Sequence, residues 1–310
     1  MRFSRTVRHA LVTATIASAV VVGPAVNSAV AEPNPCAPWA KQSVASGYGT
    51  LENLAFDGRG GLLLSEQSLL GGTGALQRLG ADGKRSTAVA NVSSPGGILV
   101  RGNTAYFNTG NSFTAGITGS KDGTIQSLNL DTGAVSTVAT GLQMPNGLTQ
   151  LPNGDFVVSK DLGPGSLTVA SADGKHVGPY GPAIPFPNGL AVDKARNRLV
   201  VATTFNPTTE IAIVDLADPA RAPRTVVIPG FGPLNSADDI TLGPDGIAYV
   251  TLNAIGQVAR VDLDAGRSCI IADGLPLSSS VRFGSGPGWD SSSLYVTSFL
   301  GTVTKLTPPR

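Results

Sequence analysis

Six times along the chain, at spacings of 41 to 50 residues, a turn opens into a short apolar strand. Those strands begin at Leu54, Ile98, Leu148, Leu190, Ile240 and Val281, and two residues before each stand Glu52, Gly96, Asn146, Asn188, Asp238 and Ser279. A unit of this length cannot bury a core alone and must stack on its neighbours. The repeat therefore restricts the chain to an open solenoid or a closed propeller.

Each repeat continues in the same way. Second strands read GLLLSEQ, TAYFNTG, DFVVSKD, RLVVATT, IAYVTLN and SLYVTSF. All are rich in β-branched or aromatic residues and bounded by turn formers, as strands require. Third strands such as TIQSLNL and VARVDLD alternate polar and apolar residues, the mark of a half-buried strand. Fourth strands follow in five repeats, and the sixth has none after its third. KQSVASG, at 41–47 ahead of the first repeat, supplies the missing one. The pattern predicts an all-β chain, a single six-bladed β-propeller over residues 32–310 whose last blade is closed by an N-terminal strand. The 39 glycines and the low charged fraction of 14% suit many tight turns, and no helix is required. One insertion, GNSFTAGITGSKD at 110–122, falls between the second and third strands of blade two. It reads as a mobile loop on the face where the inner strands open, long enough to cover a pocket.

Arg2, Arg5 and Arg8 precede an apolar run from Ala10 to Val22, and Ala29-Val30-Ala31 closes it with a small-residue cleavage site. Residues 1–31 are thus expected to be a signal peptide that exports the protein. No later run reaches the length of a membrane span. Without the three leader arginines, 19 basic groups of 22 face 21 acidic ones, a net charge near −2 that recruits neither nucleic acid nor an acidic membrane. Cys36 and Cys269 are the two cysteines, and in an oxidising compartment they are expected to pair, two buried thiols being the alternative.

Four of the six strand openings carry a metal-competent carboxylate or amide oxygen. In a closed ring Glu52, Asn146, Asn188 and Asp238 would meet at one axis. An all-oxygen set with two carboxylates suits a single hard divalent cation, calcium first, with magnesium, manganese or zinc as alternatives. Asn153, in a third Pro-Asn-Gly, belongs to a hairpin turn instead. Lys160, Thr204 and Asn253 end second strands on the same face and are candidate substrate contacts. The mature chain has one histidine, His176, in a turn, so a Ser-His-Asp triad or a histidine metal cage lacks parts. GSGPG at 284–288 opens no helix and is no phosphate loop.

The segments LENLAFDGRGGLLLSE, MPNGLTQLPNGDFVVSK, PFPNGLAVDKARNRLVVATT and SADDITLGPDGIAYVTL resemble blades of the regucalcin and gluconolactonase family, also called the senescence-marker-protein family. The resemblance runs over residues 48–308. It implies a six-bladed propeller with one central divalent cation that hydrolyses lactones. The family's metal-binding Glu, in E-G-P-x-W-D, matches Glu52; its Asn residues, in N-D-G and x-N-G-L, match Asn146 and Asn188; its Asp, in P-D-G-x-x-x-D, matches Asp238. Met144 stands where sugar lactonases of the family place a substrate-binding Arg, which points to a small lactone or ester less polar than a sugar. Asp238 is expected both to hold the cation and to act as the catalytic base. Its neighbour Asp239 reads as a solvent-facing turn acid. The protein is expected to work as a monomer. The rival reading is a non-catalytic propeller, stiffened by the cation, that binds a small molecule or a protein.

Overall fold

Strand pairing divides the chain into six antiparallel four-stranded sheets. The computed structural model describes residues 36–67, 72–162, 165 and 167–309, and the expected signal peptide lies outside the described residues. Five blades run in chain order from their innermost strands, Thr50–Phe56, Ile98–Arg101, Leu148–Gln150, Pro187–Asp193 and Ala237–Leu242. The sixth holds Ser278–Phe283, Leu294–Ser298 and Thr302–Thr307, and its outer strand is β1, Ala40–Ala45. β1 pairs antiparallel with Thr302–Thr307, Ala40 opposite Thr307.

The core follows from the alternation along these strands. Side chains on both faces of each blade are buried, and they collect into six apolar clusters, one for each junction between neighbouring blades. Leu63, Ile98 and Phe107 fill the junction of blades one and two. Leu51, Leu54, Tyr295 and Val303 fill that of six and one, which closes the ring. The Cys36–Cys269 disulfide, Cα atoms 5.4 Å apart, ties the segment before β1 to the outer strand of blade five. The Trp39 N–H donates to the Ile271 carbonyl at 2.8 Å beside it.

Two short helices depart from the all-strand expectation. Helix α1, Phe113–Thr118, lies inside the insertion read from sequence as a mobile loop. Ser112 caps it, its Oγ accepting the Ala115 N–H, and Gly119 ends it at φ 75°, a backbone angle that glycine adopts without strain. Helix α2, Gly232–Asn235, bridges blades four and five.

Candidate active site

Four of the six innermost strands begin with an irregularity of the same kind. The register slips between Leu51 and Leu54, Pro187 and Leu190, Ala237 and Ile240, and Ser278 and Val281, so two residues in each are freed from the ladder. The first of the pair is Glu52, Asn188, Asp238 or Ser279. Gly96 and Asn146 occupy the same place ahead of Ile98 and Leu148. A bulge re-aims side chains that would otherwise alternate across the sheet, and here it directs them to the axis.

A ring of hydrogen bonds fixes these openings. Ser65 Oγ donates to the Gly96 carbonyl, Asn108 Nδ2 to Asn146, Ser159 Oγ to Asn188, Thr204 Oγ1 to Ala237 and Thr251 Oγ1 to Ser279, each reaching from one blade into the next. Ser279 Oγ completes the circuit on the Leu51 carbonyl at 2.6 Å. Blade four has Ala202 where blades one, two, three and five carry the donor, and Thr204, two residues on, replaces it. Opposite these donors the backbones approach closely. A Cβ on Gly147 would lie 2.4 Å from the Asn188 carbonyl oxygen, and one on Gly189 would lie 2.6 Å from the Asp239 Cα.

Above the openings lies a cavity of about 200 Å³. Glu52, Asn146, Asn188 and Asp238 all line it, and each is buried. Asn188 Nδ2 donates to Asp238 Oδ1 at 3.0 Å and to Thr204 Oγ1 at 3.0 Å, which leaves its amide oxygen uncommitted. Asn253 Nδ2 donates to Asp238 Oδ2 at 3.0 Å, so both Asp238 oxygens accept a hydrogen bond. Asn111 Nδ2 donates to Glu52 Oε1 at 3.0 Å, and Asn111 Oδ1 is sealed from solvent without a partner.

Of the expected substrate contacts, Met144, Thr204 and Asn253 line the cavity. Lys160 does not, and its Nζ donates instead to Gln143 Oε1 at 3.2 Å. The cavity residue from that strand is Asp161, which sequence reasoning missed. The signal was in the repeat. Gln67, Asp161, Thr204, Asn253 and Phe299 all stand seventh in their second-strand segments, and all five line the cavity. Asn111 and Phe113 enter from the insertion, and no repeat register announces them.

Burial dominates the electrostatics. It pushes the Glu52 carboxyl up to about 8, with the nearby Asp161 charge adding to the shift. Burial, then the Glu52 charge, lifts Asp238 well above the carboxylate range. Asp161 rises to about 6 through burial, and its Oδ1 is sealed without a partner. The Asn146 amide lies beside both Glu52 and Asp161 and holds back part of each rise. Among the described residues no group of three His, Cys, Asp or Glu side chains makes a metal cage unaided. The amides must supply the remaining donors, and two acids with uncommitted amide and carboxyl oxygens fit a hard cation.

Asp239 departs from its expectation. It is buried, and its carboxylate accepts from Arg282 NH1 at 2.6 Å, from Asn53 Nδ2 at 3.0 Å and from Ser280 Oγ. The second freed residue of blades one, five and six thus builds a paired polar plug next to the site. Asn153 is exposed in its hairpin, donating to Asp155, and His176 is exposed in its turn.

Neither protein-family profiles nor curated proteins match the sequence. Solved structures do. A gluconolactonase from Xanthomonas campestris superposes with a TM-score of 0.67 at 15% identity, over 87% of this chain and 89% of that one. A luciferin-regenerating enzyme gives 0.63 at 15%, over 87% and 95%. A chain of a nidogen/laminin complex gives 0.56 at 18%, over 70% and 78%. At such identities the likeness establishes architecture alone, since one fold hosts many functions. The chain has the six-bladed propeller fold of the gluconolactonase-like structures.

Proposed function

We propose that this protein hydrolyses a lactone or related ester at the head of its channel, with one divalent cation held by Glu52, Asn146, Asn188 and Asp238. The observation that carries this reading is the meeting of two sealed carboxylates with two amides around one small cavity. Two such acids, each pushed toward its neutral form by burial, are natural partners for a cation that compensates both. The donors are all oxygen, which favours calcium, then magnesium or manganese, with zinc the least suited. Bound there, the cation would supply Lewis-acid polarisation of the ester carbonyl.

The chain's own groups then divide the work. Both Asp238 oxygens are engaged by Asn188 and Asn253, which suits a fixed ligand better than the double role expected from sequence. Asp161 lines the cavity beside these ligands without being one of them, and we assign it proton transfer. It takes a proton from water as the water oxygen bonds to the carbonyl carbon. It returns that proton to the leaving alkoxide as the ester C–O bond breaks, giving a hydroxy acid from a lactone. Met144, Phe113, Phe205 and Phe299 make the upper wall apolar, in keeping with a substrate less polar than a sugar lactone. Export through the leader fits the disulfide, which persists in oxidising compartments.

The test is a pH-indicator assay over a lactone panel, with and without chelator, beside elemental analysis. Asp161→Asn is expected to abolish turnover while keeping the cation, and Asp238→Asn to lose both. Turnover that survives complete metal removal would sink the mechanism. A bound cation with no turnover on any lactone or ester would instead support the non-catalytic reading, for which Met144 in place of an Arg is the favouring observation.

A further inference from the structure

Ten large hydrophobic side chains are exposed among the described residues, and eight of them stand on one face, the two exceptions being Val135 and Val227. That face is the one into which the cavity opens. Phe113 and Phe205 line the mouth itself. Leu234, Ile255 and Leu300 lie one or two residues from the lining residues Ser236, Asn253 and Phe299. Ile117 follows Phe113 by one turn of helix α1 and is 68% exposed, while Leu234 on α2 is 62% exposed. They come from blades two, four, five and six, so the apolar groups surround the mouth rather than flank it.

Charge divides the molecule in the same way. The connections on the cavity face carry Lys121, Lys160, Asp122 and Asp273 outside the cavity, two bases against two acids. Those on the opposite face carry Asp82, Lys84, Asp131, Asp173, Lys175 and Asp264, among others. Isolated exposed hydrophobics are ordinary, but a set this one-sided marks a surface that meets an apolar phase.

We infer that the cavity face docks on an electrically neutral lipid or amphiphile surface, with the loop tips around the mouth inserted into it. A flat apolar phase is the occupant that engages projecting side chains on several blades at once without matching their shapes. The balanced charge of the rim removes any call for acidic headgroups. The cavity would then open directly onto the phase in which an apolar ester dissolves. Docking itself does not depend on the hydrolase reading, because adsorption needs only the rim.

The experiment is co-sedimentation of the mature protein with phosphatidylcholine vesicles, repeated with vesicles containing phosphatidylserine. The variant is Ile117→Ser/Leu234→Ser/Leu300→Ser, all on exposed tips outside the cavity lining, and the control is Val135→Ser/Val227→Ser on the other exposed hydrophobics. Wild type and control are expected to bind neutral vesicles, with no gain from phosphatidylserine. The triple variant should partition at least about a hundredfold less, since each large side chain kept from the apolar phase is worth roughly tenfold. No binding to neutral vesicles, binding that requires phosphatidylserine, or an unaffected triple variant would overturn the inference. So would a dimer in size-exclusion chromatography that the triple variant abolishes, which would make a second copy the occupant. Turnover is measured separately, so a hydrolase that ignores vesicles and a vesicle binder that hydrolyses nothing give different results.

Discussion

Glu52 is an acid whose surroundings oppose its charge. Burial is the larger cause, the Asp161 charge adds to it, and the Asn111 amide offsets only part. Glu52→Gln keeps the shape and removes the charge. The cation-free variant is therefore expected to be more stable than the cation-free wild type at pH 8, by about 1–3 kcal/mol, while losing its response to calcium. Paired thermal melts in calcium and in chelator check both halves. Asn108 offers a complementary case, because its Nδ2 serves the Asn146 and Gly147 carbonyls at 2.9 and 3.2 Å, beside the backbone N–H groups of Gly97 and Ser159 that reach the same two oxygens. Asn108→Leu removes both side-chain hydrogen bonds and leaves each carbonyl its one backbone donor, at a cost of about 1–3 kcal/mol for the two bonds together. A melting temperature lowered by several degrees, with weaker calcium binding by calorimetry, is the expected result. An unchanged calcium affinity would show that the hydrogen-bond ring does not position Asn146. Side chains of this kind were readable as strand residues from sequence. Their role was not, because a donor at the fifth place of a strand has meaning only when the next blade's carbonyl is beside it.

At the scale of elements, the strand pattern carried nearly all of the architecture. Second strands recur so regularly that their seventh position, read as a register, also picks out Asp161 over Lys160 as the cavity residue. The openings at Glu52, Asn146, Asn188 and Asp238 were legible for the same reason, since a repeat brings equivalent positions to one axis. Helix α1 was not, because six residues carry no amphipathic period, and its Ser112 cap and Gly119 stop resemble ordinary loop chemistry. Asp239 was misjudged because its partner Arg282 is 43 residues away, in the next blade. The element most exposed to test is β1, which the disulfide anchors across a separation of 233 residues. Loop-closure entropy for a link of that span is about 5 kcal/mol, with strain and residual structure reducing it in practice. Cys36→Ser/Cys269→Ser should therefore lower stability by roughly 3–5 kcal/mol, and dithiothreitol should reproduce the effect on the wild type. A denaturation midpoint that neither change moves would mean that β1 is held by its pairing with Thr302–Thr307 alone.

Across the whole molecule, the proposed cation site would couple stability to pH, and the sign follows from the direction of the buried shifts. Glu52 is raised from 4.5 to about 8 and Asp161 from 3.8 to about 6, and Asp238 also lies well above its ordinary value. Between those unfolded and folded values the native protein binds more protons than the unfolded chain. Its stability without a cation is therefore fully present below about pH 4 and is lost as pH rises toward 8. Surface acids work the other way but in a lower window. Asp290, held down by Lys305 and neighbouring serines, contributes above its unfolded value and loses that contribution only in strong acid. The two windows barely overlap, so the buried acids alone should set the slope from pH 5 to 8. A cation favours the ionised forms of Glu52 and Asp238, hence its affinity should rise over the same range, and with it the stabilisation it confers by binding the native state. Melting temperatures of cation-stripped protein should fall from pH 5 to pH 8, while those in millimolar calcium should hold level or rise, so that the two curves diverge. Parallel curves would mean that the acids do not share their charge with a cation, and the metal reading would fail before any substrate is tried.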